Sequence, residues 1–320
     1  MNKSNIIRLK MLGLPVMEKV DDFAELTRLS RSIIYQMSSF ANEYYITYQR
    51  PKKTGGKRTI SQPSRKLKAL QAWILVNILN KLSVSPSCMG FEKGTSTYQN
   101  AKAHIGATAI LTVDIQDFFP SISQRHVFNI FRAVGYNNLI SIILSKICTF
   151  ENKLPQGGPC SPKLANLVAW RLDNRLQGYV GKKGISYTRY ADDLSFSGPM
   201  PSKVVRSLPF IKSIITSERF EVNDKKTRIA GPSRAKIVTG LVVGNDGVGI
   251  GREKYKLFRA KIHRLTKQTE QTNLKLLSEV HGWLAYLHSV DVKRLNKAKK
   301  YIANLKNKYP ESLVSKINWK

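Results

Sequence analysis

Three carboxylates stand out in a chain that has few acids. Asp114 closes the short apolar run Ala109-Ile110-Leu111-Thr112-Val113, and Asp192-Asp193 follow 78 residues later, between two runs patterned as strands, Ile185 to Tyr190 and Leu194 to Ser197. If these strands are neighbours in one sheet, the three side chains converge at one end of it. Carboxylates held that close repel one another and demand cations, and hard oxygen donors favour Mg²⁺. Two such ions a few ångströms apart activate an attacking hydroxyl and stabilise a leaving phosphate oxygen, so the expected substrate is a phosphate ester or anhydride. Asp at a strand end or in a turn has a plainer use as well, bonding nearby backbone amides.

Periodicity and breakers outline the elements that must position these groups. Phe23, Leu26, Leu29, Ile33 and Ile34 recur at helical intervals and predict one helix over 21–42, with Asp21 or Asp22 as its cap. Residues 44–48 and 58–61 flank the turn Lys52-Lys53-Thr54-Gly55-Gly56-Lys57 and predict a basic β-hairpin. Helices are expected over 67–82, 125–134, 139–148 and 161–176, and strands over 228–230 and 236–243. After Gly247-Val248-Gly249-Ile250-Gly251 the pattern turns helical and rich in Lys and Leu, with Gly282 the single glycine from 252 to 308. A boundary is therefore expected at 247–251.

The whole composition sets the partner. The 320 residues carry 53 Lys+Arg against 21 Asp+Glu, a formal charge of +32, with 42% hydrophobic residues. So much apolar content can bury a large core and argues against disorder. No window approaches the ~18 consecutive apolar residues of a membrane span, and the N-terminal apolar run is interrupted by Gly13 and Pro15, unlike a signal peptide. Three scattered cysteines, Cys88, Cys148 and Cys160, form neither a disulfide framework nor a zinc signature, as expected of a reducing, cytoplasmic compartment. The charge points to a polyanion, with nucleic acid ahead of an anionic membrane surface. It is also unevenly placed: Arg50 to Phe91 holds nine Lys/Arg and no acid, and residues 249–320 hold 17 against 5, a balance of +12. Such stretches bind phosphates by releasing counterions, with strong salt dependence.

Five strings in order narrow the chemistry. They are Thr112-Val113-Asp114-Ile115-Gln116-Asp117-Phe118-Phe119, Leu154-Pro155-Gln156-Gly157-Gly158-Pro159-Cys160-Ser161-Pro162, Tyr190-Ala191-Asp192-Asp193, Asn223-Asp224-Lys225-Lys226-Thr227, and Val238 to Val243. In this order the sequence resembles the reverse transcriptases. Asn100-Ala101-Lys102-Ala103-His104 and Val238-Thr239-Gly240 further resemble elements that mark the retron reverse transcriptases of bacteria. The likeness implies an α+β right-hand polymerase: an N-terminal helical extension (1–45), fingers (46–110), a palm on an antiparallel sheet (111–247, with inserted fingers helices about 124–153) and a basic helical thumb (248–320).

The same resemblance implies roles. Asp114 and Asp192 would hold two Mg²⁺ ions, with the Ile115 carbonyl assisting and Asp193 completing the cluster. The Asp117 and Phe118 amides would cradle the triphosphate of a dNTP, Arg58 would grip its phosphates with help from Lys53, and Gln156 and Gly157 would line the pocket. Phe119 would lie under the sugar and exclude a ribose 2′-hydroxyl, unless it is simply a core ring. Lys226, or its neighbour Lys225, would protonate the leaving pyrophosphate. Asn100, His104, Val238, Thr239 and Gly240 would contact the cognate RNA, with Asn100 and His104 alternatively buttressing the palm, and Trp283 would belong to the thumb core. The partners implied are a structured non-coding RNA that is template and primer, its DNA product and a separate effector protein, in a bacterial defence role against phage. Synthesis would start from the 2′-hydroxyl of a guanosine in that RNA. The rivals are a group II intron-like or diversity-generating relative with a 3′-hydroxyl primer, a non-catalytic RNA-binding scaffold, and a two-metal nuclease.

Overall fold

Alternation along one strand decides which way the first aspartate faces. In the computed structural model, which describes residues 2–51, 55–267 and 274–318, the strand Ala109–Asp114 buries Ala109, Leu111 and Val113 in the main hydrophobic core. Its opposite face carries Ile110, Thr112 and Asp114, since side chains alternate along a strand.

In chain order, helices α1 (Lys3–Met11), α2 (Val20–Thr27) and α3 (Arg31–Ser39) precede the hairpin β1 (Tyr45–Pro51) and β2 (Lys57–Pro63). Helices α4 (Arg65–Asn77) and α5 (Thr97–Lys102) lead into β3 (Ala109–Asp114). The turn α6 (Phe118–Ser121) and helices α7 (Gln124–Val134), α8 (Asn138–Cys148), α9 (Ser161–Val168) and α10 (Trp170–Gly181) separate β3 from β4 (Ser186–Tyr190) and β5 (Asp193–Gly198). After α11 (Pro201–Ser217) come β6 (Arg228–Ala230), β7 (Lys236–Val238), β8 (Leu241–Val243), β9 (Val248–Gly249) and helices α12 (Arg252–Arg264), α13 (Leu274–Val290) and α14 (Val292–Lys308). The central sheet has strand order β4-β5-β3-β6 and is antiparallel throughout. This is the expected α+β architecture.

Two apolar cores result. The main one joins Leu111, Leu194 and Phe196 of the sheet with Ile143, Leu164, Leu172 and Ile211 of the helices, and with Leu9, Phe23 and Ile34 from the N-terminal helices. The second gathers Ala101, Ala107 and Ile110 with Val238 and Leu241 of the β7–β8 hairpin and with Phe258, Leu284 and Ile302 of α12–α14. Trp283 packs against this second core and stacks on Phe258 at 5.7 Å.

Several boundaries differ from the sequence pattern for local reasons. The helix expected over 21–42 breaks at Arg28, which is left-handed (φ 56°), and restarts where Ser30 Oγ accepts from Ile33 N. Asp22 caps the first of these helices, though from its third position rather than from its boundary. It lies inside the first turn and accepts from the Glu18 and Lys19 amides at 2.6 and 2.9 Å, which holds its carboxyl below the usual range. The segment 67–82 leaves α-helical geometry at Ile78 (φ −120°), and 161–176 is two helices meeting at Ala169, where ψ is −1°. The run 236–243 is a hairpin whose two turn residues, Thr239 (φ 45°) and Gly240 (φ 79°), are both left-handed, the signature of a type I′ turn.

Candidate active site

The central sheet carries the carboxylates to one end. Asp114 pairs with Asp193 in the β3–β5 register, and Tyr190 pairs with Asp193 across β4–β5. Only Ala191 and Asp192 remain for the turn, and Ala191 adopts φ 56° to close it. The Ile115 amide donates to the Asp192 carbonyl at 3.0 Å, so the chain just past Asp114 is bonded to the turn. On the other side, the Asn223 amide donates to the Asp114 carbonyl at 2.8 Å, bringing the segment of Lys225 and Lys226 alongside. Of those two lysines it is Lys226 that reaches the site, its Nζ donating to Asp114 Oδ2 at 2.9 Å.

The electrostatics follow from crowding like charges. Burial raises the Asp192 carboxyl, and the negative charge of Asp114 adds to this while Lys226 and Arg58 oppose it. Asp193 is pushed up to about 6, first by desolvation in the concave site and then by Asp192 and Asp114. Lys226 is raised through its bond to Asp114 and keeps its proton at neutral pH. Among the described residues no group of three acid, histidine or cysteine side chains is placed to enclose a metal ion. The donors nevertheless fit Mg²⁺: it is held by one or two carboxylates with waters and substrate phosphates rather than by a protein cage, and an ammonium already sits against Asp114 as a cation would.

The remaining expected residues distribute around this centre. Arg58 is exposed on β2 and its charge reaches Asp192, whereas Lys53 lies outside the described residues. Asp117 is left-handed (φ 45°) and exposed, and opens α6. Phe118 is buried against Phe220, while Phe119 is partly open and meets Phe118 and Phe91 edge-on at 5.7 and 6.3 Å. The Gln156 carbonyl accepts from the Ser61 amide at 2.9 Å, docking its loop on β2. Gly157 packs closely against the same strand. Its φ is 131°, and a Cβ there would stand 2.8 Å from the Ser61 carbonyl oxygen.

The RNA contacts expected of Asn100, His104 and Val238 are corrected by burial, since they are 0%, 1% and 0% exposed. His104 lies behind the β4–β5 hairpin, with Nδ1 2.7 Å from Ser197 Oγ on β5 and Nε2 2.7 Å from Thr188 Oγ1 on β4. Asn100 Nδ2 donates to Thr239 Oγ1 at 3.4 Å, and that hydroxyl donates to the Thr97 carbonyl at 3.2 Å, steadying the left-handed threonine. Thr239 and Gly240 do border, with Asp114, Asp193 and Lys226, a cleft of about 640 Å³.

Two residues were not anticipated. Arg189, fully buried on the core face of β4, donates through Nε and Nη2 to both oxygens of Asp173 at 2.8 Å. Its Nη1 donates to Asn166 Oδ1 and to the Ala191 carbonyl, both at 3.1 Å, so a guanidinium grips the turn that carries Asp192. A charged residue between the strand positions Thr188 and Tyr190 was the available signal. The second, Phe91, is half-exposed beside Tyr190 and Phe119.

Comparison with known proteins identifies the family. Residues 50–274 match the family model "Reverse transcriptase (RNA-dependent DNA polymerase)". The chain is 49% identical to the Retron Ec86 reverse transcriptase of Escherichia coli, over 98% of this chain and 97% of that protein. It is 33% identical to the Retron Mx65 reverse transcriptase of Myxococcus xanthus, over 88% and 70% of the two chains. A solved foamy viral protease-reverse transcriptase in complex with an RNA/DNA hybrid is 18% identical with a TM-score of 0.43, covering 76% of this chain and 27% of that one. The chain belongs to the reverse transcriptase family, among the retron enzymes of bacteria, and is an RNA-directed DNA polymerase.

Proposed function

We propose that this polymerase copies part of a cognate structured non-coding RNA into multicopy single-stranded DNA, with Asp114, Asp192 and Asp193 as its catalytic carboxylates. The observation that carries this reading is the register of Asp114 opposite Asp193, with Asp192 in the β4–β5 turn and its carbonyl accepting from Ile115 N. Reverse transcriptases use a divalent cation, typically Mg²⁺. Two such ions, held by Asp114 and Asp192 with the Ile115 carbonyl, would lower the pKa of the attacking hydroxyl and neutralise the leaving pyrophosphate.

The protein's own groups do the rest. Arg58 pairs with the dNTP phosphates through its planar fork, and the Asp117 and Phe118 amides receive the triphosphate. Gln156 and Gly157 wall the pocket, and Phe119 meets the sugar from below. Lys226, protonated and next to Asp114, supplies the proton to the leaving pyrophosphate. The fingers, palm and thumb divide at about 46–110, 111–247 and 248–320, and the basic helices of the last segment track the nucleic acid backbone. Thr239 and Gly240 touch RNA or primer at the cleft, with Asn100, His104 and Val238 behind them.

Priming from a guanosine 2′-hydroxyl, a bound effector protein and a role in defence against phage are part of the same proposal. The likeness to retron enzymes along nearly the whole chain supports them. The test is Mg²⁺-dependent dNTP incorporation on RNA, with Asp192→Asn and Asp193→Asn expected to be inactive while still binding RNA. Mapping the RNA–DNA junction then decides the primer: a 2′,5′ bond is expected, and a plain 3′,5′ junction would refute the branched product.

A further inference from the structure

Phe91 is an exposed phenyl ring on an unfavourable backbone. It is 50% exposed and has φ 62°, a region that bulky residues rarely enter and that persists where surrounding structure over-determines it. The surroundings do so here. The Met89 amide donates to the Arg189 carbonyl at 2.7 Å, and the Arg189 amide to the Ser87 carbonyl at 2.8 Å. Asn166 Nδ2 donates to the Gly90 carbonyl at 2.8 Å and to Glu92 Oε1 at 3.0 Å, and Lys163 Nζ pairs with Glu92 Oε2 at 2.7 Å. Gly90 lies so close to the catalytic hairpin that a Cβ would stand 2.8 Å from the Ala191 amide nitrogen. Bonds on both sides of Phe91 thus hold its ring in the open, 6.1 Å from Tyr190 and 6.3 Å from Phe119.

Sheet topology says which side of the site this is. Cys88 bridges to Arg189 along the outer edge of β4, so the order across the site is the Phe91 segment, β4, β5, β3 and β6. Lys226 and the Thr239–Gly240 turn lie on the β3–β6 side, around the cleft with Asp114. Phe91 is on the β4 side, next to Tyr190 at the end of that strand. With an incoming nucleotide over Phe119, as proposed above, the template base paired with it would lie on the side of Tyr190 and Phe91, whose rings are 6.1 Å apart.

We infer that Phe91 is a template-side contact of the polymerase site, its ring packing against the RNA base that pairs with the incoming dNTP. This rests on the polymerase function proposed above. An aromatic face suits the task because every base has a π-face, so the contact tolerates any template sequence.

The experiment uses the full chain with an annealed DNA primer on an RNA template, and measures single-nucleotide incorporation by the wild type and by Phe91→Ala, Phe91→Leu and Phe91→Tyr. Phe91→Ala is expected to lower kcat/KM about tenfold, Phe91→Tyr to stay near wild type, and Phe91→Leu to resemble Phe91→Ala. On a template with an abasic templating position the difference between wild type and Phe91→Ala should vanish, because the contact's partner is gone. A Phe91→Ala enzyme as active as wild type, or an undiminished penalty on the abasic template, would overturn the inference. A wild type that incorporates nothing would instead refute the polymerase reading, so the two failures are distinguishable.

Discussion

Asp114 and Asp193 face each other across the β3–β5 pair, on the same side of the sheet and with no residue between them. Together with Asp192 they concentrate negative charge that the folded chain tolerates only by raising proton affinity and by recruiting Lys226. The site therefore carries a folding cost in the absence of a divalent ion.

Replacing Asp192 or Asp193 with Asn should separate stability from activity. Incorporation should fall by about a thousandfold, the scale of losing a preorganised electrostatic group. In EDTA each variant should nevertheless melt higher than wild type. The shift of Asp193 corresponds to ~3 kcal/mol, and its solvent access reduces this to roughly 1 kcal/mol, or about 2 °C. Excess Mg²⁺ should close the gap by stabilising the wild type alone. Melting curves with and without Mg²⁺ decide it, and variants less stable than wild type in EDTA would contradict the repulsion.

The buried pair Arg189–Asp173 predicts a different pattern. Neither side chain is exposed to solvent, and removing one partner strands the other's charge in the core. Asp173→Asn or Arg189→Met should cost about 3 kcal/mol in urea unfolding. Arg189→Lys keeps the charge and loses the planar fork that reaches Asp173, Asn166 and Ala191 together. It should lower kcat while RNA affinity stays unchanged, because the damage falls on the turn of Asp192. An equal loss of RNA binding would point to general disorder instead.

How much of this was legible beforehand depends on the range over which each residue is determined. Asp114, Asp192 and Asp193 were readable because strand alternation and a tight turn fix them locally, and the ordered strings around them supplied the pairing of distant segments. Arg28 and Ala169 were not, because a helix break at a residue without Pro or Gly comes from tertiary packing that periodicity does not see. His104 and Asn100 were recognised as special but expected at a surface. Their burial depends on α5 lying against two hairpins distant in sequence, one at 188–197 and one at 238–241. Phe91 and Arg189 escaped notice because exposure and a left-handed backbone in one case, and a buried ion pair with α10 in the other, exist only in the folded chain.

His104 should govern the acid limb of stability. Burial between Thr188 and Ser197 lowers its pKa to about 4 from the ordinary 6.5. The unfolded chain then binds a proton between pH 6.5 and 4 that the native chain refuses, so stability falls as pH drops through that window. The full effect is roughly 3 kcal/mol below pH 4. His104→Gln, which retains a donor and an acceptor, should flatten this part of the curve relative to wild type. Urea titrations at pH 4 to 7 check it, and parallel curves for the two proteins would rule the histidine out.

The loop of Gln156 and Gly157 gives the last test, because its position is set by backbone contact with β2 rather than by a side chain. Gly157→Ala meets two obstacles at once: φ 131° is unsuited to an L residue, and its Cβ would approach the Ser61 carbonyl oxygen to 2.8 Å and Ile60 Cγ2 to 3.2 Å. The loop can relieve both only by moving off β2, breaking the bond from the Ser61 amide to the Gln156 carbonyl. Because β2 also carries Arg58, that movement separates the two walls proposed for the nucleotide pocket. Gly157→Ala should therefore raise the KM for dNTP about tenfold or more, at a stability cost of about 1–3 kcal/mol. RNA affinity should change less than the KM, since the loop 154–162 carries no basic side chain of its own. Gly158→Ala is the comparison: its Cβ would meet Ser161 Oγ and Gln71 Oε1, both on side chains, at 2.9 and 3.2 Å. The Ser161 hydroxyl can rotate away and neither contact lies on β2, so the effect on KM should be the smaller of the two, and the reverse order would show that the β2 contact does not shape the pocket.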